Sequence, residues 1–150
     1  MNPRSATENP PEPARARRAR RRSWRSLSVT LPADSPELLA LIRRLVRANL
    51  LDCGADPAKA GDVELCVSEL LTNAQRYSPG PARLELSLHH GAVHLEVSDT
   101  STAPPNASSP DLEGQRENGK GLHIVKALAY AVGVRTHPWG KTVKASIDLT

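Results

Sequence analysis

Two runs of strict alternation, Leu84, Leu86, Leu88 and then Val93, Leu95, Val97, flank the dipeptide His90-Gly91, and no other pattern restricts the fold of this chain as much. Successive side chains on a strand point to opposite faces, so each run is a strand with one apolar face, and the Gly-containing link closes the two as a hairpin. A hairpin of this kind is marginal alone; another layer must cover its apolar face. Two upstream segments can do so. Leu38, Leu39, Leu41, Ile42, Leu45, Val46 and Leu50 recur at three- and four-residue steps opposite Arg43, Arg44 and Arg47, between a start signal at Ser35-Pro36-Glu37 and a stop at Gly54. Asp56-Pro57 then opens a second helix that is expected to reach about Tyr77, where Ser78-Pro79-Gly80 breaks it.

The remaining elements follow the same logic. Leu27, Val29 and Leu31 alternate as a strand that Pro32 ends. After Asp99 regularity stops, and residues 100–118 form a loop too long to be a plain connection. Gly119-Lys120-Gly121 ends that loop and opens a helix to about Tyr130, with Leu122, Ile124, Val125 and Leu128 as its apolar part. Val132 to Thr136 reads as a strand, Pro138-Trp139-Gly140 as a turn, and Val143, Ala145, Ile147 and Leu149 as a last strand. This order predicts an α+β fold, a two-layer sandwich of a mixed, largely antiparallel sheet with helices on one face.

A length of 150 residues suits one domain and a tail. The net charge of +4 would suggest a polyanion partner if it were spread evenly, but it is not. Eight arginines face Glu8 and Glu12 within the first 26 residues, which leaves 12 basic and 14 acidic side chains for the rest. The expected domain at 26–150 is therefore mildly acidic, and the basic character belongs to a Pro-, Ala- and Arg-rich tail at 1–25, expected to be disordered. With Trp24 as its one aromatic, that tail implies only weak nucleic-acid attraction. No run of 18 apolar residues exists and no apolar stretch follows the N-terminal arginines, so the expectation is no membrane span, no secretory signal and a cytoplasmic protein. Cys53 and Cys66 read as small apolar residues within helices, and the five histidines lack metal-ligand spacing.

Chemistry-bearing residues are few. Glu69 and Asn73 stand four apart on the second helix and share a face; such a pair is common on exposed helices, and it also supplies hard oxygen ligands for Mg²⁺ and a carboxylate able to take a proton. Asp99 ends a strand, where it serves either as a turn former or as an acceptor for an exocyclic amine. Gly119-Lys120-Gly121-Leu122 is either an ordinary loop end or a backbone cradle for phosphates at a helix start. The glycine spacing fits neither a P-loop nor a dinucleotide fold.

Taken in order, Glu69-Leu70-Leu71-Thr72-Asn73 on a helix, Asp99 at a strand end, a long loop closing at Gly119-Lys120-Gly121-Leu122 and Gly140-Lys141-Thr142 before the last strand resemble the GHKL (histidine-kinase-like) ATPases. Val67 to Ala74 looks especially like the anti-sigma-factor serine/threonine kinase branch, and the likeness covers about residues 26–150. The resemblance implies a Bergerat-type ATP fold with ATP and Mg²⁺ as cofactors. By it, Asn73 would bind the Mg²⁺, Glu69 would be the base, Asp99 would bond the adenine amine, Gly119, Gly121 and Leu122 would border the phosphates, and Thr142 would lie near adenine. It implies phosphorylation of a STAS-type anti-anti-sigma protein, sequestration of a sigma factor and a homodimer, with a non-catalytic ATP-binding switch as the alternative. Residues 100–118 would form the ATP lid. The chain departs from the family at Asp99-Thr100-Ser101-Thr102-Ala103, where two glycines usually follow the acid and let backbone approach the nucleotide.

Overall fold

The computed structural model describes residues 26–101 and 121–150. The tail expected at 1–25, Gly119, Lys120 and the expected loop from residue 102 onward lie outside the described residues. The elements are β1 (Ser26–Leu31), α1 (Pro36–Asp52), α2 (Pro57–Tyr77), β2 (Ala82–His89), β3 (Ala92–Asp99), a helix α3 over residues 121–128, β4 (Ala131–His137) and β5 (Gly140–Asp148).

Local chemistry sets the boundaries of these elements. Pro36 takes the first helical position of α1, whose end is closed by Gly54 at φ 86°. There the Gly54 N–H donates to the Leu51 carbonyl at 2.9 Å and the Ala55 N–H to the Leu50 carbonyl at 3.0 Å, the paired bonds of a Schellman stop. The Asp56 carboxylate caps α2, accepting from the N–H groups of Ala58 at 3.1 Å and Lys59 at 3.3 Å. His90 and Gly91 both adopt positive φ, 51° and 74°, as a type I′ link requires.

Among the described residues the sheet has five strands in the order β1-β2-β3-β5-β4, and every pairing is antiparallel. The β2–β3 and β4–β5 hairpins lie side by side, with β3 in the centre. On β3 and β5 the side chains of Val93, Leu95, Val97, Val143, Ala145 and Ile147 are buried beneath the helices. Alternate residues form the outer face, which is polar: His94 meets Ser146, and Lys144 pairs with Glu96. Helix α2 crosses β2, β3 and β5 and carries the largest share of the core through Ala60, Val63, Val67, Leu70, Leu71 and Ala74, while α1 packs alongside it. From α3, Val125 is buried in the same core and Leu122 and Leu128 pack against it. The layers are those the sequence predicts.

Helix α1 departs from expectation in the width of its apolar face. Leu39, Ile42, Val46 and Leu50 are buried, whereas Leu41 and Leu45 are exposed to 57% and 43%. One flank of the helix rests on α2, so a stripe broader than that contact remains in solvent. Among the described residues no helix is long and apolar enough to cross a membrane. Replacing Asp56 with alanine removes the α2 cap and is expected to lower stability by about 1 kcal/mol, read from the midpoint of urea unfolding at unchanged slope.

Candidate functional site

Glu69 and Asn73 are half-buried on α2, one turn apart, and the first residue of α3 stands directly against them. A Cβ built on Gly121 would lie 2.9 Å from Asn73 Nδ2, 3.0 Å from Glu69 Oε2 and 3.3 Å from Asn73 Oδ1. Glycine thus lets the α3 backbone close onto a carboxylate and an amide. Three of the residues singled out in the sequence are therefore in one place. Leu122, next in the chain, is half-buried against the core.

Asp99 lies at the mouth of β3 with only 4% of its surface exposed. Its Oδ1 accepts the Ser101 N–H at 2.8 Å, and its Oδ2 faces the Lys141 ammonium at 3.3 Å. Ser101 occupies a position where the family has glycine, yet its φ is not positive, so the backbone there does not require glycine.

The strand mouth is tied to the end of α2. Ser78, the residue after the helix, is buried; its hydroxyl bonds that of Thr100 at 2.7 Å and accepts the Thr100 N–H at 3.0 Å. The Thr100 hydroxyl also accepts the Gly80 N–H at 3.2 Å. Because Asn73 precedes Ser78 by about one and a half turns, this clasp fixes the acidic strand end relative to the carboxylate–amide pair. Ser78, Thr100 and Lys141 escape a reading of the sequence, since each acts through a partner distant in the chain.

Thr142 lies on β5, directly after Lys141. Its hydroxyl bonds Ser98 at 2.9 Å and His137 Nε2 at 3.1 Å on the outer face of the sheet. Ser98 and Thr142 are paired across β3 and β5, as are Asp99 and Lys141. With side chains alternating between faces, Lys141 shares the helix-covered side with Asp99 and Thr142 cannot. A shallow cavity of about 380 Å³ is bordered by Thr30, Pro81, Ala82, Arg83, Glu85, Ser98, Asp99, Thr100 and Trp139, so Asp99 forms part of its wall while Glu69 and Asn73 do not.

Burial is the main reason the Cys66 thiol is pushed up to about 11, with the Asp62 and Glu69 carboxylates adding to the effect. It is protonated at neutral pH and chemically inert there.

The histidine kinase-like ATPase domain model matches residues 32–147. The chain belongs to that family. Its fold recurs in the RsbU and RsbW domains of Rv1364c from Mycobacterium tuberculosis, with a TM-score of 0.63 and 21% identity, over 83% of this chain and 32% of that one. It recurs in the SiaB–SiaC complex from Pseudomonas aeruginosa, with a TM-score of 0.65 and 17% identity, over 89% of this chain and 96% of that one. A blue-light activated histidine kinase from Erythrobacter litoralis EL346 matches at a TM-score of 0.50 and 25% identity, over 63% of this chain and 32% of that one. The histidine kinase-like ATPase domain described here thus spans about a third of the first of these proteins. No curated protein sequence matches the chain.

Gly140 opens β5 against the backbone of Asp99, and a Cβ there would run into the Asp99 carbonyl. Gly140→Ala is therefore expected to cost about 3 kcal/mol, the upper end for overpacking, measured by urea unfolding against a Gly133→Ala control. At Gly133 a Cβ meets nothing within 4 Å.

Proposed function

We propose that this ATPase-family domain is a protein serine/threonine kinase of the anti-sigma-factor branch. The observation that carries the proposal is the close approach of Gly121 to Glu69 and Asn73, where a Cβ added to the glycine would lie within 3.3 Å of both side chains. That contact sets a carboxylate, an amide oxygen and the start of a helix around one small volume, a combination suited to a triphosphate and the hydroxyl it phosphorylates.

The residues fit ATP with Mg²⁺. Among the described residues no three His, Cys, Asp or Glu side chains cluster as an all-protein metal cage. An amide oxygen from Asn73 shared with phosphate oxygens is the coordination that Mg²⁺ favours. When bound, the metal–nucleotide supplies the transferable phosphoryl group and neutralises its charge. Glu69 accepts the proton of the attacking serine or threonine hydroxyl, Asp99 accepts from the adenine amine, and Gly121 and Leu122 border the phosphates.

The substrate in this proposal is a STAS-type anti-anti-sigma protein, and the alternative partner is a sigma factor that the unphosphorylated system sequesters in the cytoplasm. Similarity to an RsbW domain and to SiaB in complex with SiaC supports this reading. A homodimer belongs to the same proposal. A purely ATP-binding switch gains least from Glu69, since binding alone has no use for a proton acceptor.

The test is to measure ATP binding and phosphotransfer in the same variants. Glu69→Ala is expected to bind ATP normally and to lose at least about a hundredfold in transfer to a STAS-type substrate, the low end for loss of a general base. Asn73→Ala is expected to lose the Mg²⁺-dependent part of binding. Transfer undiminished in Glu69→Ala would remove Glu69 from the mechanism.

A further inference from the structure

Lys141 sits directly across from Asp99 in the β3–β5 ladder, and its side chain is only 12% exposed. Little water reaches the ammonium, and its charge is compensated by Asp99 Oδ2 at 3.3 Å. Two such groups behave as a unit, because either alone would be a nearly buried charge.

The two oxygens of Asp99 are not equivalent. Oδ1 is committed to the Ser101 N–H, 2.8 Å away. Oδ2 retains one acceptor position beside Lys141, and an ammonium has three donors, of which the contact with Asp99 uses one. The site therefore presents one acceptor immediately beside one charged donor. Its complement is a ligand edge on which an N–H neighbours a bare ring nitrogen.

We propose that Lys141 reads the nucleobase, its ammonium donating to N1 of adenine while Asp99 Oδ2 accepts from the exocyclic amine. This rests on the ATP reading above. A guanine edge suits the site less well, since its N1–H and its amine call for two acceptors side by side and Oδ1 is turned away to Ser101. Lys141 is a ligand-contacting residue in this account, and the close approach of Gly140 to the Asp99 carbonyl holds its strand in register.

The experiment compares equilibrium binding of ATP and 1-deaza-ATP, in which a C–H replaces N1, to the full chain and to Lys141→Met and Lys141→Arg. The unmodified chain is expected to prefer ATP by about 10- to 100-fold, the factor that a hydrogen bond to a charged donor supplies. Lys141→Met is expected to bring the ratio to about one and Lys141→Arg to keep most of it. A general loss of affinity or stability weakens both ligands together, so the ratio isolates contact with N1. A ratio near one in the unmodified chain, or one retained in Lys141→Met, overturns the proposal. Should Lys141→Met not fold, Lys141→Gln, with a shorter neutral donor, is expected to reduce the ratio, and an unchanged ratio there counts against the proposal equally. Failure of the unmodified chain to bind ATP at all would defeat the nucleotide reading itself, whereas binding without discrimination would remove Lys141 alone.

Discussion

The volume that a side chain would occupy on Gly140 is filled by the carbonyl of Asp99, and the site depends on this contact. It holds the start of β5 against the end of β3 at one register, with Asp99 opposite Lys141 and Ser98 opposite Thr142. A slip of one residue would turn every side chain of β5 over, sending Val143, Ala145 and Ile147 to solvent and Lys141 away from Asp99. Core packing and the acidic strand end thus share a single constraint.

A second tie is needed to make a site of it. Glu69 and Asn73 belong to a helix and Asp99 to a strand, and packing of α2 on the sheet would tolerate some sliding between them. Ser78 and Thr100 remove that freedom with two hydrogen bonds at the point where the helix ends and the strand stops. Ser78 bonds while buried, so breaking the clasp would leave its hydroxyl unsatisfied. The helix end is placed by polar groups where the apolar core alone would be permissive.

Much of this was legible in the sequence, for definite reasons. The hairpin at His90-Gly91 and the helix after Asp56-Pro57 follow from period and from local turn chemistry, which need no knowledge of the rest of the fold. The closeness of Glu69 and Asn73 follows from their spacing alone, but their closeness to Gly121 does not, because it depends on where α3 returns to the sheet. Exposure of Leu41 and Leu45 was hidden for a similar reason: the pattern gives the direction of an apolar face, and the neighbours decide its width. Thr142 shows how a strand pattern and a family likeness carry different information. The alternation of Val143, Ala145 and Ile147 already put Thr142 on the opposite side and Lys141 in phase with them, just as Val93, Leu95 and Val97 are in phase with Asp99. The resemblance supplies a role for Thr142 near adenine that the strand pattern by itself does not give.

That phase relation also bears on why a lysine is kept in such a place. A nearly buried ion pair contributes little net stability compared with apolar residues of similar size, while loss of one partner costs about 3 to 5 kcal/mol. Asp99 and Lys141 are exposed by only 3% and 12% along their side chains, and a threonine or valine at 141 beside a neutral residue at 99 would satisfy the core as well. Stability therefore gives no reason for the charges. A site that must hold an acceptor and a donor at fixed separation does give one, because the strand register sets their spacing before any ligand arrives and binding need not order them.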